Sequence, residues 1–132
     1  MTMKISLLFT TYAAFSQRAA IAMSEVSIPL LLDEVIRRIR AVSDPEQIIL
    51  FGSYARGDFG PDSDVDLLVV KSGVEAPRQE SVRLRRALRG LLIPIDVVVA
   101  TPQQMQRHRD TIGLIYRQAV REGRILYERP IT

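Results

Sequence analysis

Two aspartates, Asp64 and Asp66, stand two positions apart where a polar segment gives way to the apolar run Leu67-Leu68-Val69-Val70. A short apolar run bounded by turn residues reads as a buried strand. Strand side chains alternate between faces, so carboxylates two residues apart project the same way. Like charges side by side repel, and burial adds to the cost, unless a cation lies between them. Such a set of hard oxygen ligands suits Mg²⁺, which takes one or two carboxylates and completes its shell from substrate phosphates. Upstream, the apolar run Ile48-Ile49-Leu50-Phe51 stops at Gly52-Ser53. Glycine permits a tight turn and the close approach of a ligand. Serine is a favoured N-cap, which predicts a short helix from Tyr54 to Gly57. Free N–H groups at a helix start, with a hydroxyl beside them, form an anion site. Phosphate at one strand end and metal at the next is equipment for handling a nucleoside triphosphate.

Gly52-Ser53, ten residues, then Asp64-x-Asp66 resembles the GSx10DxD signature of the DNA polymerase beta-like nucleotidyltransferase superfamily. Within it, the chain specifically resembles the minimal nucleotidyltransferases, the MNT-domain proteins. Ser53-Tyr54-Ala55-Arg56-Gly57 and Ser63-Asp64-x-Asp66-Leu67 match the fuller form GSxARGxxxxxSDxDL. The resemblance covers roughly residues 25 to 128. It implies that Asp64 and Asp66 are catalytic metal ligands, and that a third carboxylate comes from a later strand, where Asp96 of Pro94-Ile95-Asp96-Val97-Val98-Val99 is placed for it. Two Mg²⁺ ions and ATP as substrate follow from the same likeness, with Gly52 and Ser53 gripping the phosphates. Arg56 either reaches the triphosphate or braces the loop through a carboxylate, the second being the favoured reading. A buried, unpaired aspartate is too costly to be structural filler, so a place beside the metals explains Asp96. The alternative is a strand-edge aspartate held by backbone N–H groups.

The chain of 132 residues is long enough for one domain with a real core. Its apolar and charged fractions are those of an ordinary globular protein. The absence of cysteine excludes disulfides and thiolate metal sites. No apolar run approaches the roughly 18 residues of a membrane span. Sixteen of the eighteen basic residues are arginine, and Arg78, Arg83, Arg85, Arg86 and Arg89 fall on one expected helix. Without interleaved aromatics to stack bases, direct nucleic-acid binding is not expected. A solvated helix face is the favoured reading, and an acidic partner opposite it is compatible with that.

The elements that must position these residues follow from periodicity. Residues 1–23 are expected to be a disordered, weakly helical or mis-assigned extension, with Met23-Ser24-Glu25 as a natural start; their faint likeness to a signal peptide is broken by Thr10, Thr11 and Tyr12. The domain proper is assigned to residues 24–132. Ser27-Ile28-Pro29 suits a helix start, and Leu32, Val35, Ile36 and Ile39 give its core stripe. Lys71 to Pro77 reads as a flexible connection, and Lys71 as a surface residue. Leu84, Ala87, Leu88 and Leu91 mark a second stripe, Thr101-Pro102 opens a further helix, and Ile112, Ile115, Tyr116 and Ala119 mark the last, ended by Gly123. Arg124 to Tyr127 reads as a short closing strand or extended tail. Asp58 and Asp62 are expected to be loop acids, and His108 a surface residue. The fold class is α/β (α+β): a small mixed sheet of three or four strands packed by helices, as the polymerase beta-like nucleotidyltransferase fold implies.

The resemblance implies an enzyme, expected to be a cytoplasmic nucleotidyltransferase moving AMP from ATP to a hydroxyl. Only some thirty residues follow the third strand, so the acceptor site is expected to be completed by a partner. The resemblance points to the antitoxin half of HEPN–MNT toxin–antitoxin pairs, which implies adenylylation of a tyrosine on a HEPN toxin. Two other readings stay open: a non-catalytic antitoxin that occludes a HEPN ribonuclease, and a homodimeric enzyme acting on an aminoglycoside-like small molecule.

Overall fold

The computed structural model describes the backbone of residues 17–130 and the side chains of residues 28–130. The chain divides into two compact units, Met1–Leu31 and Leu32–Thr132; of the first only the helical course from Gln17 is described, and the second carries the site. Helix α1 spans Gln17–Val42. The expected start at Ser27-Pro29 is therefore corrected: Pro29 lies inside the helix, where its missing N–H and ring cost one local hydrogen bond without ending the 26-residue element. Of the expected extension over residues 1–23, the stretch 1–16 lies outside the described residues.

After α1 come β1 (Gln47–Phe51), α2 (Ser53–Arg56), β2 (Val65–Val70), α3 (Pro77–Ala87), β3 (Ile95–Ala100), α4 (Pro102–His108), α5 (Ile115–Glu122) and β4 (Arg124–Glu128). The strands form one mixed sheet in the order β3-β2-β1-β4. β1 pairs antiparallel with β2 and β4, and β2 pairs parallel with β3. The antiparallel β1–β2 pair needs only a loop to join it, whereas the parallel pair needs a crossover, which α3 supplies. Residues 124–128 thus form a strand rather than a tail.

The two central strands are apolar on both faces, and each face is covered. On one, Ile49, Phe51, Leu68, Val70 and Ala100 pack with Ala119, and Met105 of α4 and Ile115 and Tyr116 of α5 close over them. On the other, Ile48, Leu50, Leu67, Val69 and Val97 are essentially inaccessible, as are Val35 and Ile39 of α1 and Leu84 of α3. Thr101 caps α4 with a complete capping box: its hydroxyl accepts from Gln104 N–H, and the Gln104 side chain accepts from Thr101 N–H. The last helical stripe is shorter than its periodicity suggests. Helix α5 begins at Ile115, and Ile112 is 81% exposed ahead of it.

The connection after β2 is held at both ends. Lys71 Nζ donates to Ser43 Oγ (2.9 Å) and to Glu80 (3.1 Å), and Ser72 N–H donates to Glu46 (2.8 Å). Lys71 is therefore a paired, mostly covered cation rather than a free surface one. Among the described residues, no helix is long and apolar enough to cross a membrane.

Candidate active site

Strand register builds the site. Asp66 of β2 lies directly beside Asp96 of β3, and neighbouring strands are about 4.8 Å apart, so the two side chains stand next to each other on one face. Asp66 is also the register partner of Phe51, the last residue of β1. The turn that follows Phe51 therefore falls against Asp66. Gly52 has φ 75° and ψ −157°, a region open essentially to glycine alone. A Cβ on Gly52 would also collide with Asp66 Oδ2. Two independent demands, backbone and space, thus select glycine here.

The helix after this turn starts one residue earlier than the serine-cap expectation. Gly52 is the N-cap, Ser53 is the first helical residue, and no side chain caps the helix. Ser53 does not use its hydroxyl as a cap, so that group is placed at the β1 end beside the glycine, while its carbonyl accepts from Gly57 and Asp58 N–H. Asp64 immediately precedes β2 and is exposed.

Electrostatics tie the carboxylates together. The Asp66 carboxyl is raised above its ordinary range, first by burial, then by Asp96 and Asp64, with Arg56 acting against them. Burial, followed by the Asp64 charge, also raises the Tyr54 phenol. Asp64, Asp66 and Asp96 therefore share one local field that disfavours further negative charge and favours a cation. Among the described residues, no group of three acidic, histidine or cysteine side chains is already gathered into a metal cage. One or two carboxylates with phosphate oxygens satisfy Mg²⁺, and this donor set fits that pattern.

Asp96 departs from the expectation of a buried, unpaired carboxylate. Its side chain is 54% exposed and pairs with Arg85 of α3 at 3.3 Å. β3 is an edge strand, so its first residues reach solvent although the run reads as apolar. Arg56 pairs with Asp58 (3.2 Å) and with Glu122 at the end of α5 (3.1 Å), contacts that brace the loop. Asp62 is exposed; the turn into Ser63 is instead closed by Gly60, whose N–H donates to Ser63 Oγ (2.8 Å) and whose carbonyl accepts from Ser63 N–H (3.1 Å). His108 is half-buried, stacked with Tyr116.

Three participants escaped the sequence reading. Phe59 stacks on the buried Tyr54 ring at 4.2 Å and so fixes the loop between the turn and Asp64. Arg85 and Glu122 reach the site from helices 11 and 66 residues away from their partners Asp96 and Arg56. The alternation of polar and apolar residues carries no signal for such pairs.

A protein of Methanocaldococcus jannaschii named as a candidate protein adenylyltransferase is 64% identical over 25 residues, which is 19% of this chain and 25% of that relative. The chain's match thus spans about a quarter of that relative's length. Among solved structures, a candidate nucleotidyltransferase from Sulfolobus solfataricus superposes with a TM-score of 0.58 at 22% identity, covering 82% of this chain and 86% of that one. A mutant MntA–HpeT toxin–antitoxin structure superposes with a TM-score of 0.51 at 22% identity, covering 74% and 73%. These two likenesses show a shared fold. The nucleotidyltransferase domain family matches residues 32–126, the span that holds β1 to β3, the first part of β4 and every candidate site residue. With the strands β1 to β3, the glycine turn and the paired aspartates all inside that span, the chain belongs to the nucleotidyltransferase domain family.

Proposed function

We propose that this domain transfers AMP from ATP to the hydroxyl of a tyrosine on a partner protein, a helical HEPN toxin, in a Mg²⁺-dependent reaction in the cytoplasm. The observation that carries the reading is the side-by-side register of Asp66 and Asp96 at the strand ends, against the Gly52 turn. The protein acceptor is supported by the relative named for protein adenylylation and by a fold neighbour that is half of a toxin–antitoxin pair.

Asp64 and Asp66 would hold Mg²⁺, with Asp96 completing the set. When bound, the ion offsets triphosphate charge and stabilises the oxygens that enter and leave at the α-phosphorus. The Ser53 hydroxyl and the backbone after Gly52 receive the β- and γ-phosphates. The half-exposed Asp96 carboxylate takes the proton of the acceptor hydroxyl as that oxygen bonds to the α-phosphorus. The bond from the α-phosphorus to the bridging oxygen breaks, and pyrophosphate leaves. Arg56, through Asp58 and Glu122, keeps the loop that carries the turn in place. Positioning and charge neutralisation supply the rate.

The test is transfer of label from α-³²P-ATP with Mg²⁺ to protein in a lysate of the source cell, beside Asp64→Asn/Asp66→Asn. A band present only with the wild type is expected, and its identity names the partner. No label, with the partner present and unmodified, would overturn the catalytic reading in favour of occlusion or a small-molecule acceptor.

A further inference from the structure

Resting on the protein-acceptor reading, we infer that the groove between α3 and the edge of β3 docks an acidic segment of the acceptor protein beside Asp96. The groove has a volume of about 480 Å³ and is lined by Arg78, Ser81, Val82, Arg85, Val97 and Val99 among others. It adjoins the site through one side chain: Arg85 lines the groove, donates to Val97 O (3.3 Å), and pairs with Asp96 (3.3 Å).

Its chemistry selects the occupant. The charged residues lining it are Arg78 and Arg85, and no acidic side chain lines it. The exposed Arg86 and Arg89 lie close by in sequence, at and just past the C-terminal end of α3. Beside the lining arginines, the exposed Val82 offers an apolar contact. Arginine beside apolar side chains is a composition favoured in protein interfaces. No aromatic side chain lines the groove, which removes the stacking platform a single-stranded nucleic acid would use. The β3 backbone groups Val99 N–H and Val97 O are already met by Ser81 and Arg85, so an extended peptide lies in the groove through side-chain contacts and displaces no strand. A segment lying there would bring its hydroxyl residue past Arg85 to Asp96.

The probe is a fluorescent Glu–Tyr random copolymer, with a Lys–Tyr copolymer as its charge-reversed control. Anisotropy titrations compare wild type, Arg78→Glu, and Arg107→Glu, a reversal on the exposed face of α4. Arg78 is exposed in the first turn of α3, so its substitution leaves the fold intact, which far-UV circular dichroism verifies. The expected result is tight, salt-sensitive binding of the Glu–Tyr copolymer alone, weakened tenfold or more by Arg78→Glu and less than twofold by Arg107→Glu. Equal weakening by both variants, an Arg78→Glu affinity within twofold of wild type, or displacement of the copolymer by poly(U) at lower concentration than by unlabelled copolymer would each overturn the inference. The labelling assay separates it from the parent reading. Equal labelling of the lysate acceptor by wild type and Arg78→Glu overturns the groove and leaves the acceptor reading standing. Arg78-dependent copolymer binding without any label supports the groove and overturns the acceptor reading.

Discussion

The Asp66 carboxylate works against the fold that carries it. Burial and the neighbouring Asp96 and Asp64 raise its pKa, so the folded chain holds this proton more tightly than the unfolded one. With more protons bound in the folded state, stability from this group falls as pH rises from the ordinary carboxylate range through the raised value. In EDTA, Asp66→Asn is therefore expected to raise Tm at pH 7. The gap should close below about pH 4, where the unfolded carboxylate is also protonated. A thermal scan across pH checks this, and equal Tm values at pH 7 would refute it. The same substitution is expected to lower transfer roughly a hundredfold or more, on the scale of losing one preorganised electrostatic contact. Stability gained where activity is lost is what the proposed cation-binding role of Asp66 predicts.

At the scale of elements, α3 guards the edge of the sheet. Ser81 is 7% exposed; its hydroxyl donates to Pro77 O (3.0 Å) and accepts from Val99 N–H (3.0 Å). Together with Arg85 on Val97 O, it satisfies backbone groups that an edge strand would otherwise leave unpaired. Ser81→Ala would strand the buried Val99 N–H, and its expected cost is about 1–3 kcal/mol by chemical denaturation. Elements are also where the sequence was most legible. Apolar runs placed β1, β2 and β3, while the exposed β4 was read as a strand or a tail because its burial is slight, and the Thr101 cap was readable because its partner is three residues away. Strand order was not readable. Asp96 sits in an apolar run like those of β1 and β2, yet it is half exposed because β3 closes one side of the sheet. Ile112 matched the α5 period and still lies outside the helix, because period alone does not fix where a helix begins. The placement of Gly52, Ser53, Asp64 and Asp66 at two neighbouring strand ends was legible because it is local. Arg85, Glu122 and Phe59 depend on which helices and loops return to those ends.

At the scale of the whole molecule, the site depends on a strand that carries none of it. β1 places Gly52 against Asp66, and β1 is held between β2 and β4. β4 contributes the half-buried Leu126 and Tyr127, and the Arg40 guanidinium lies over the Tyr127 ring at 4.4 Å. The chain is fastened again past the strand, where Arg129 N–H donates to Glu46 O (2.8 Å) and its guanidinium pairs with Asp44 and Glu46. Gly123 makes the join possible, since a Cβ there would collide with Ala119 O and crowd Ile49. Truncation after Glu122 strips one side of β1 of its hydrogen-bond partner and removes the half-buried Leu126 and Tyr127. Burial of each such side chain contributes about 1.5–3 kcal/mol when complete, so the combined loss is a large share of the roughly 5–15 kcal/mol that holds a domain together. The truncated chain is expected to lose its cooperative thermal transition or have it lowered by about 10 °C or more. Its bared β1 edge should promote self-association on sizing chromatography. An unchanged transition would mean that β1 keeps its position through β2 alone, and that the Gly52 turn needs no support from the C-terminal strand.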